Sequence, residues 1–250
     1  MKKIALAQMN VEYGNMQKNT SIAEELIHSA ISQQCDLVLL PELWSTGFDY
    51  HSLDESAEQN HILIIHLQKL ANESKIIIAG SFIEKQGRQF FNSFTTLQPN
   101  LPIHRYFKKH LFTPMHEDKY FSPGEVSIPF STPFGQTAMS VCFDLRFPEF
   151  FLDLRRQNTE LFLMSAHWPL VRISHWDVLL QARAIENQAF MVAVNSVGKS
   201  GKDNYGGHSA VIAPDGEVVL RAPDDAEGLF IVEIDPGRVK SLREKFIIHR

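Results

Sequence analysis

One stretch of the sequence, residues 137–148, constrains the fold more than any other, because an apolar run in it ends abruptly in Cys142. Asp144, Arg146 and Pro148 follow within the next turn of chain. The apolar run predicts a buried strand, and Pro148 predicts the start of a helix, since proline fits the first helical position. Cys142 is therefore expected at a sharp strand-to-helix turn, on a rigid scaffold and near free backbone N–H groups.

Other apolar runs are continuous rather than alternating, which is typical of strands covered on both faces. Such runs occur at residues 4–9, 37–40, 76–83, 161–165 and 190–194. Helical periodicity separates several of them, and Asn19 or Thr20 is expected to cap the first helix. This alternation predicts an α/β fold whose sheets are covered by helices, and the number of strands favours two stacked sheets. No linker or repeat interrupts the chain, so residues 1–250 are expected to form a single domain.

The composition limits the partners that the chain is expected to have. Its 250 residues carry a formal net charge of −5, and no basic run suggests nucleic-acid binding. No apolar stretch approaches transmembrane length, and the apolar run at the N-terminus is too short for a signal peptide, so no membrane partner is expected. The two cysteines, Cys35 and Cys142, are too few for a disulfide framework. A reducing cytoplasm is therefore the expected location.

A nucleophilic thiol reacts as a thiolate, so it needs a base or a positive neighbour. Glu42 ends a buried apolar run, and its apolar neighbours are expected to raise its pKa to a range suited to proton transfer. Lys108 and Lys109 would point to opposite faces of an extended segment, so one of them can enter a site, although spacing alone does not choose which. An ammonium beside the thiol would stabilise thiolate and oxyanion, with the backbone N–H of Phe143 as a second donor.

Three motifs together resemble the nitrilase superfamily of carbon–nitrogen hydrolases. They are Pro41-Glu42, Lys-Lys-His-Leu at residues 108–111 and Cys-Phe-Asp-Leu-Arg-Phe-Pro at residues 142–148. They occur in the family's order and at its usual separations, and the resemblance covers nearly the whole chain. It implies a four-layer α-β-β-α sandwich and a reaction without a cofactor. It also implies homodimers that pair through outer helices, with the C-terminal tail at about residues 236–250 in a dimer contact.

The resemblance also implies roles for individual residues. The family's glutamate, lysine and cysteine fall on Glu42, Lys108 and Cys142, and the pattern Lys-x-His-Leu selects Lys108 over Lys109. A second glutamate, thought to position the lysine and the substrate, matches Glu117. The implied reaction is hydrolysis of a small amide through a thioester, in which Glu42 moves protons and ammonia leaves.

The run at residues 142–148 looks most like the omega-amidase branch, which deamidates 2-oxoglutaramate and 2-oxosuccinamate. Such substrates carry a carboxylate distal to the amide, so the pocket needs a cation, for which Arg146 is the candidate. Phe48, Phe143 and Trp168 are expected to wall the pocket. His167 is expected near its rim, where related bacterial sequences often carry Asn-Trp-Pro.

Alternative interpretations remain open at this point. The chain could have another activity of the superfamily, such as that of an aliphatic amidase, an N-carbamoyl hydrolase or a nitrilase. Cys142 could instead pair with His167 or His175 as in a papain-like hydrolase, or the chain could be a non-catalytic binding protein. No metal is expected, because no His-Glu-x-x-His spacing or paired-cysteine motif occurs.

Ion pairs compete with functional roles for two arginines. Arg146 could form a salt bridge with Asp144 or Glu149 rather than bind a substrate. Arg183 and Glu186 are three residues apart in a helical segment and are interpreted as a structural pair.

Overall fold

The structure is a computed structural model that describes residues 1–246 and residue 248. Residues 247, 249 and 250, at the end of the tail expected in a dimer contact, lie outside the described part. The strands are β1 (Lys2–Gln8), β2 (Leu37–Leu39), β3 (Ile77–Gln86), β4 (Gln89–Leu97), β5 (His104–Phe107), β6 (Phe130–Thr132), β7 (Gly135–Val141), β8 (Leu161–Ala166), β9 (Phe190–Asn195), β10 (Val197–Ser200), β11 (Asp203–Gly206), β12 (Ala210–Ile212), β13 (Val218–Arg221) and β14 (Gly228–Ile234). The helices are α1 (Met16–Ser32), α2 (Leu53–Ser74), α3 (Glu117–Tyr120), α4 (Pro148–Arg156), α5 (Ile173–Asn187) and α6 (Gly237–Lys245).

Two six-stranded sheets form the centre of the molecule. Their strand orders are β14-β1-β2-β3-β4-β5 and β13-β12-β9-β8-β7-β6. Each sheet has three parallel strands in its middle, β1 to β3 in the first sheet and β7 to β9 in the second. The strands outside these pair antiparallel.

The side chains of β1 show how the layers are arranged. Ile4 and Leu6 belong to a core that also contains residues of β7, β8 and β9, so it lies between the facing sheets. Ala5 and Ala7 point the other way and pack with α1 and α2. The helices α4 and α5 cover the second sheet. The fold is therefore the expected four-layer α-β-β-α sandwich, in which both faces of the central strands are covered.

The first helix begins earlier than expected. Its N-cap is Asn15, whose side chain accepts a hydrogen bond from the Lys18 N–H, so the expectation of a cap at Asn19 or Thr20 is wrong. Asn19 is buried inside α1 because its side-chain amide donates to the carbonyl of Ser45 at 3.0 Å. That bond tethers the loop after β2 to the helix layer.

The same loop is also tied to the opposite sheet. The Ser165 hydroxyl, near the end of β8, donates to the Leu40 carbonyl at 2.7 Å. Glu42 follows two residues after Leu40, so this bond fixes the start of the segment that carries it.

None of the helices in the described part of the chain has the length and apolar character needed to cross a membrane.

Candidate active site

Glu42, Lys108 and Cys142 follow the ends of three different strands and meet at one place between the sheets. The Lys108 Nζ lies 2.8 Å from Glu42 Oε1, and the Cys142 thiol hydrogen-bonds to the Glu42 carboxyl. Glu42 and Lys108 are almost completely buried, whereas Cys142 keeps 9% of its surface exposed. The structure thus brings together an acid, an amine and a thiol that lie far apart along the chain.

The two neighbouring lysines differ completely in environment. Lys108 is 1% exposed, whereas Lys109 faces solvent, because successive residues after β5 point to opposite sides. Lys108 Nζ also lies 2.8 and 2.9 Å from the two carboxylate oxygens of Glu117. Gly124 holds the next loop against this segment by donating to the Lys108 carbonyl at 2.9 Å. A Cβ at Gly124 would lie 1.9 Å from the Phe107 carbonyl oxygen, so only glycine allows this approach.

Asn92, on β4, is a residue of the site that we did not predict from the sequence. Its amide nitrogen lies 2.8 Å from Glu42 Oε1 and 3.4 Å from Glu117 Oε1, so it bridges the two carboxylates. The backbone carbonyl of Asn92 also accepts a hydrogen bond from the backbone N–H of Lys108 at 2.9 Å. The available signal was an amide directly after the aromatic pair Phe90-Phe91, where a covered strand would ordinarily carry an apolar residue.

The pKa values of the two glutamates move in opposite directions. Burial pushes the pKa of Glu42 upward, but the charge and hydrogen bond of Lys108 outweigh burial and leave this pKa below its ordinary value. The expectation of a raised pKa for Glu42 is therefore wrong, because the sequence does not show that an ammonium contacts it. Glu117 has a raised pKa, owing first to burial and then to the charges around it, among which Glu42 raises it and Lys108 lowers it.

Cys142 lies at a strained turn between β7 and α4. Its φ is +42°, in the left-handed region that non-glycine residues seldom adopt, and residues Cys142–Arg146 form a single 3₁₀ turn. Burial, followed by the Glu42 charge, raises the pKa of the thiol well above its usual value, while Lys108 acts in the opposite direction. The resting pair is therefore a thiol beside a carboxylate, which is the state in which Glu42 can accept the thiol proton.

Asp144 stabilises this turn. Its Oδ2 accepts from the Val141 N–H and from the Tyr106 hydroxyl, both at 2.8 Å, and its Oδ1 lies 2.7 Å from His110 Nδ1. Arg183, buried on α5, donates to the Leu145 carbonyl at 3.0 Å and lies 2.9 Å from Glu186 Oε2. The structural interpretation of Arg183 and Glu186 is thus confirmed, and Arg183 also holds the segment that follows the cysteine.

A cavity opens at the thiol. The predicted pocket residues Phe48, Phe143, Arg146, His167 and Trp168 all line it. Its walls are otherwise formed by residues that we did not single out from the sequence, namely Phe112, Met115, Pro169 and Arg172, and by Lys108 and Cys142 at its inner end. Aromatic walls with a few charged groups are typical of a site for a small molecule.

Two guanidinium groups lie on the wall of this cavity. Arg146 stacks over the Trp168 ring at 4.9 Å, with its Nη2 3.2 Å from His175 Nδ1, and Arg172 lies 5.8 Å from the Phe112 ring centroid. Burial and the nearby charge of Arg172 lower the pKa of Arg146. Within the described part of the chain, neither arginine forms a salt bridge, so the pairing of Arg146 with Asp144 or Glu149 does not occur.

The two histidines of the papain-like alternative are not placed to act as bases for the thiol. His175 is exposed and contacts Arg146. His167 is buried rather than at the pocket rim, and its Nδ1 lies 2.6 Å from the Glu42 carbonyl oxygen, while its backbone N–H donates to Glu42 Oε2 at 2.9 Å. Burial lowers the pKa of His167 to about 4, so its imidazole is neutral at pH 7. In this structure the group that accepts the thiol hydrogen is the carboxylate of Glu42.

Known proteins similar to the chain cover almost its whole length. It is 32% identical to a protein described as hydrolase in agr operon from Staphylococcus aureus, with 99% of this chain and 97% of that one covered. It is 34% identical to the 2-oxoglutaramate amidase of Bacillus subtilis, covering 96% and 93%. It is 32% identical to omega-amidase YafV of Escherichia coli K12, covering 84% and 82%.

Solved structures agree with the sequence relatives. A CN-hydrolase superfamily protein of Xanthomonas campestris, with an arsenic adduct in its active site, superimposes with a TM-score of 0.91 at 28% identity, covering 98% and 94%. An amidase from Nesterenkonia sp. AN1, shown with acrylamide added at its active-site cysteine, gives 0.87 at 25% identity, covering 98% of both chains. A family model described as carbon-nitrogen hydrolase matches residues 3–244. The chain belongs to the carbon-nitrogen hydrolase family and is an amidohydrolase of that family.

Proposed function

We propose that the protein hydrolyses omega-amides of short 2-oxo dicarboxylic acids, such as 2-oxoglutaramate and 2-oxosuccinamate, to the free acid and ammonia. The observation that carries this substrate class is the pair of guanidinium groups, Arg146 and Arg172, on the wall of the cavity that ends at Cys142. A substrate that extends from the thiol toward these arginines needs an anionic far end. The names of the amidase relatives from Bacillus subtilis and Escherichia coli support the same class.

In the proposed first half-reaction, Glu42 takes the proton of the Cys142 thiol as the sulfur bonds to the amide carbon. The carbonyl oxygen becomes an oxyanion, which Lys108 and the backbone N–H of Phe143 stabilise. The carbonyl then re-forms as the C–N bond breaks. Glu42 passes the proton to the departing nitrogen, so ammonia leaves and the acyl group remains on sulfur as a thioester.

In the second half-reaction, water attacks the thioester carbon. Glu42 takes a proton from this water and returns it to the sulfur as the C–S bond breaks, which releases the acid. Glu117 is proposed as a positioning residue, because both its oxygens hold the Lys108 ammonium at 2.8–2.9 Å. This arrangement keeps Lys108 charged in a buried site where it would otherwise lose its proton.

The experiment that tests the substrate class is ammonia release across a panel of substrates. The panel contains 2-oxoglutaramate, glutamine, a neutral aliphatic amide, an N-carbamoyl acid and a nitrile. The proposal predicts the highest kcat/KM for 2-oxoglutaramate. A preference for the neutral amide, the carbamoyl acid or the nitrile would contradict the proposed substrate while leaving the thioester chemistry intact.

Arginine variants sharpen this test. Arg146→Met and Arg172→Met are each expected to lower kcat/KM for 2-oxoglutaramate by roughly 10- to 100-fold, the range for losing one charge-assisted contact. Activity toward the neutral amide should change by less than about threefold, since that substrate carries no carboxylate. Arg156→Met is the matched control, because Arg156 is a solvent-exposed arginine that pairs with Asp153. Equal losses on charged and neutral substrates would contradict the assignment.

We also propose that residues 1–250 form a single domain, that the protein acts in the cytoplasm and that it works as a homodimer through α5. Val178 and Ile185 lie seven residues apart on α5 and expose 66 and 46% of their surfaces. Val171, just before this helix, exposes 87% and extends the apolar patch. Light scattering is expected to give a dimer for the native chain and a monomer for Val178→Glu. A monomeric native protein would contradict the dimer.

A further inference from the structure

His167 presents an atom that the proposed reaction has not yet used. The side chain is 2% exposed and lines the cavity at the thiol. Among the described residues its Nε2 has no hydrogen-bond partner, although the atom itself is buried. A buried nitrogen without a partner costs free energy, so an unpaired Nε2 on a residue that lines the cavity is available for a hydrogen bond from a bound ligand.

The other ring nitrogen fixes what this partner must be. Nδ1 lies 2.6 Å from the carbonyl oxygen of Glu42, which can only accept, so Nδ1 carries the hydrogen. The ring is neutral, because burial lowers its pKa to about 4. Nε2 therefore has a lone pair and no hydrogen, and it needs an N–H or O–H donor. Phe48 and Tyr205 hold the ring edge-on at centroid distances of 5.6 and 4.6 Å, so it does not rotate freely.

The position of His167 identifies the donor. The residue contacts Glu42 twice, through Nδ1 and through its backbone N–H, and the backbone N–H also reaches the Cys142 sulfur. In the proposed function, on which this step rests, the departing nitrogen lies beside Glu42 because Glu42 protonates it. The oxyanion is held by Lys108 and the Phe143 N–H, and Nε2, which carries no hydrogen, cannot stabilise it. The group that Nε2 can pair with is therefore the departing nitrogen, which carries hydrogens.

We propose that Nε2 of His167 accepts a hydrogen bond from the amide nitrogen of the substrate and thereby selects substrates that carry an N–H group there. The nitrogen of the tetrahedral intermediate has two hydrogens and one lone pair. Holding one hydrogen at His167 turns the lone pair toward the proton on Glu42. No proton moves to His167; the C–N bond breaks as Glu42 protonates the nitrogen, and ammonia leaves.

The same acceptor serves the second half-reaction. The attacking water gives one hydrogen to Glu42 and donates the other to Nε2, which orients its oxygen toward the thioester carbon. A nitrile or an ester offers no hydrogen at the corresponding atom of the first step. These substrates leave Nε2 unpaired, so they are bound less well in the first transition state than the amide.

The test compares the primary amide with the methyl ester of the same acid, because the ester forms the same thioester but lacks the N–H group. In His167→Phe the ratio of kcat/KM for the amide to kcat/KM for the ester is expected to fall by roughly 10- to 100-fold, the range for a buried hydrogen bond, because the loss of the Nδ1 contact with Glu42 affects both substrates alike. His167→Gln is the matched control, since its side-chain oxygen can replace Nε2 as acceptor. The His167→Gln variant should keep the ratio of kcat/KM for the amide to that for the ester within about fivefold of the native value. An equal loss on both substrates in His167→Phe would overturn the proposal.

A spectroscopic measurement covers the case in which His167→Phe does not fold. The Cys142→Ala protein, which lacks the nucleophile, is labelled with ¹⁵N in its histidines and mixed with the amide or the ester. The ¹⁵N resonance of His167 Nε2 is expected to shift upfield with the amide and to stay unchanged with the ester. An unchanged resonance with the saturating amide would overturn the proposal.

These outcomes are separate from a failure of the proposed function. If the native protein releases ammonia from none of the primary amides in the panel, the proposed function itself is wrong. If it releases ammonia but the ratio of amide to ester activity is the same in His167→Phe, only the role of His167 is wrong.

Discussion

Replacing Lys108 by methionine tests the electrostatics of the site most severely. The ammonium of Lys108 contacts Glu42 once and Glu117 twice, at 2.8–2.9 Å, and all three side chains are at most 1% exposed. Methionine keeps the length of the side chain but removes the charge. Two carboxylates then share a buried site without a counter-charge.

The expected cost is large. Removing one partner of a buried ion pair typically lowers the free energy of unfolding by about 3–5 kcal/mol, because the remaining charge stays buried and unpaired. Lys109→Met is the matched control at the adjacent position. Lys109 is exposed, so its replacement should change the free energy of unfolding by less than about 0.5 kcal/mol. Urea unfolding followed by circular dichroism at pH 7 measures both.

The dependence on pH gives the prediction a second part. Without Lys108, the folded-state pKa values of Glu42 and Glu117 are expected to rise above those of the unfolded chain, since the ammonium no longer opposes the effect of burial. The folded variant then binds more protons than the unfolded chain, so its stability is present at low pH and is lost as pH rises through the raised pKa values. The gap between the native protein and Lys108→Met should therefore shrink from pH 7 to pH 5. The reasoning would be refuted if Lys108→Met lost no more free energy of unfolding at pH 7 than Lys109→Met does. It would also be refuted if the loss in Lys108→Met were the same at pH 7 and pH 5.

Two further predictions concern the surroundings of the catalytic glutamate. Asn92→Ala should lower kcat by roughly 10- to 100-fold with little change in KM, because it removes the hydrogen-bond donor that Glu42 and Glu117 share. Gln89→Ala, at an exposed position of the same strand, is the control and should leave both constants unchanged. Equal kinetics of the two variants in steady-state ammonia assays would contradict this prediction. The pKa of His167 is about 4 in the folded state and about 6.5 in the unfolded chain. As pH falls, the unfolded chain therefore binds the proton first. The native protein should lose up to about 3 kcal/mol of stability from this group between pH 6.5 and pH 4. Urea unfolding at both pH values should show a shallower loss in His167→Gln, and an unchanged slope would argue against a buried neutral imidazole.

The sequence predicted the architecture because its strands and helices carry strong local signals. Continuous apolar runs identified the covered strands, and Pro148 fell on the first residue of α4. The start of α1 was missed, because Asn15 and Asn19 are equally good caps by residue type and only tertiary contacts bury Asn19.

The site was predictable where motifs name single residues and not where contacts across strands matter. Glu42, Lys108, Cys142 and Glu117 were singled out from their motifs, and the structure brings all four together. The bridging role of Asn92 depends on the pairing of β4 with β5, which no local pattern reveals. The lowered pKa of Glu42 was missed for the same reason, since it depends on a contact with Lys108, which is distant along the chain.

The most direct measurement of the central claim is the mass of the protein quenched in acid during turnover of 2-oxoglutaramate. We predict a population heavier by the substrate minus ammonia, with the added mass on the peptide that contains Cys142. In Cys142→Ala both the adduct and the release of ammonia should be absent while the unfolding curve stays cooperative. Ammonia release by Cys142→Ala at a rate near that of the native protein, or an adduct on a different residue, would contradict the account.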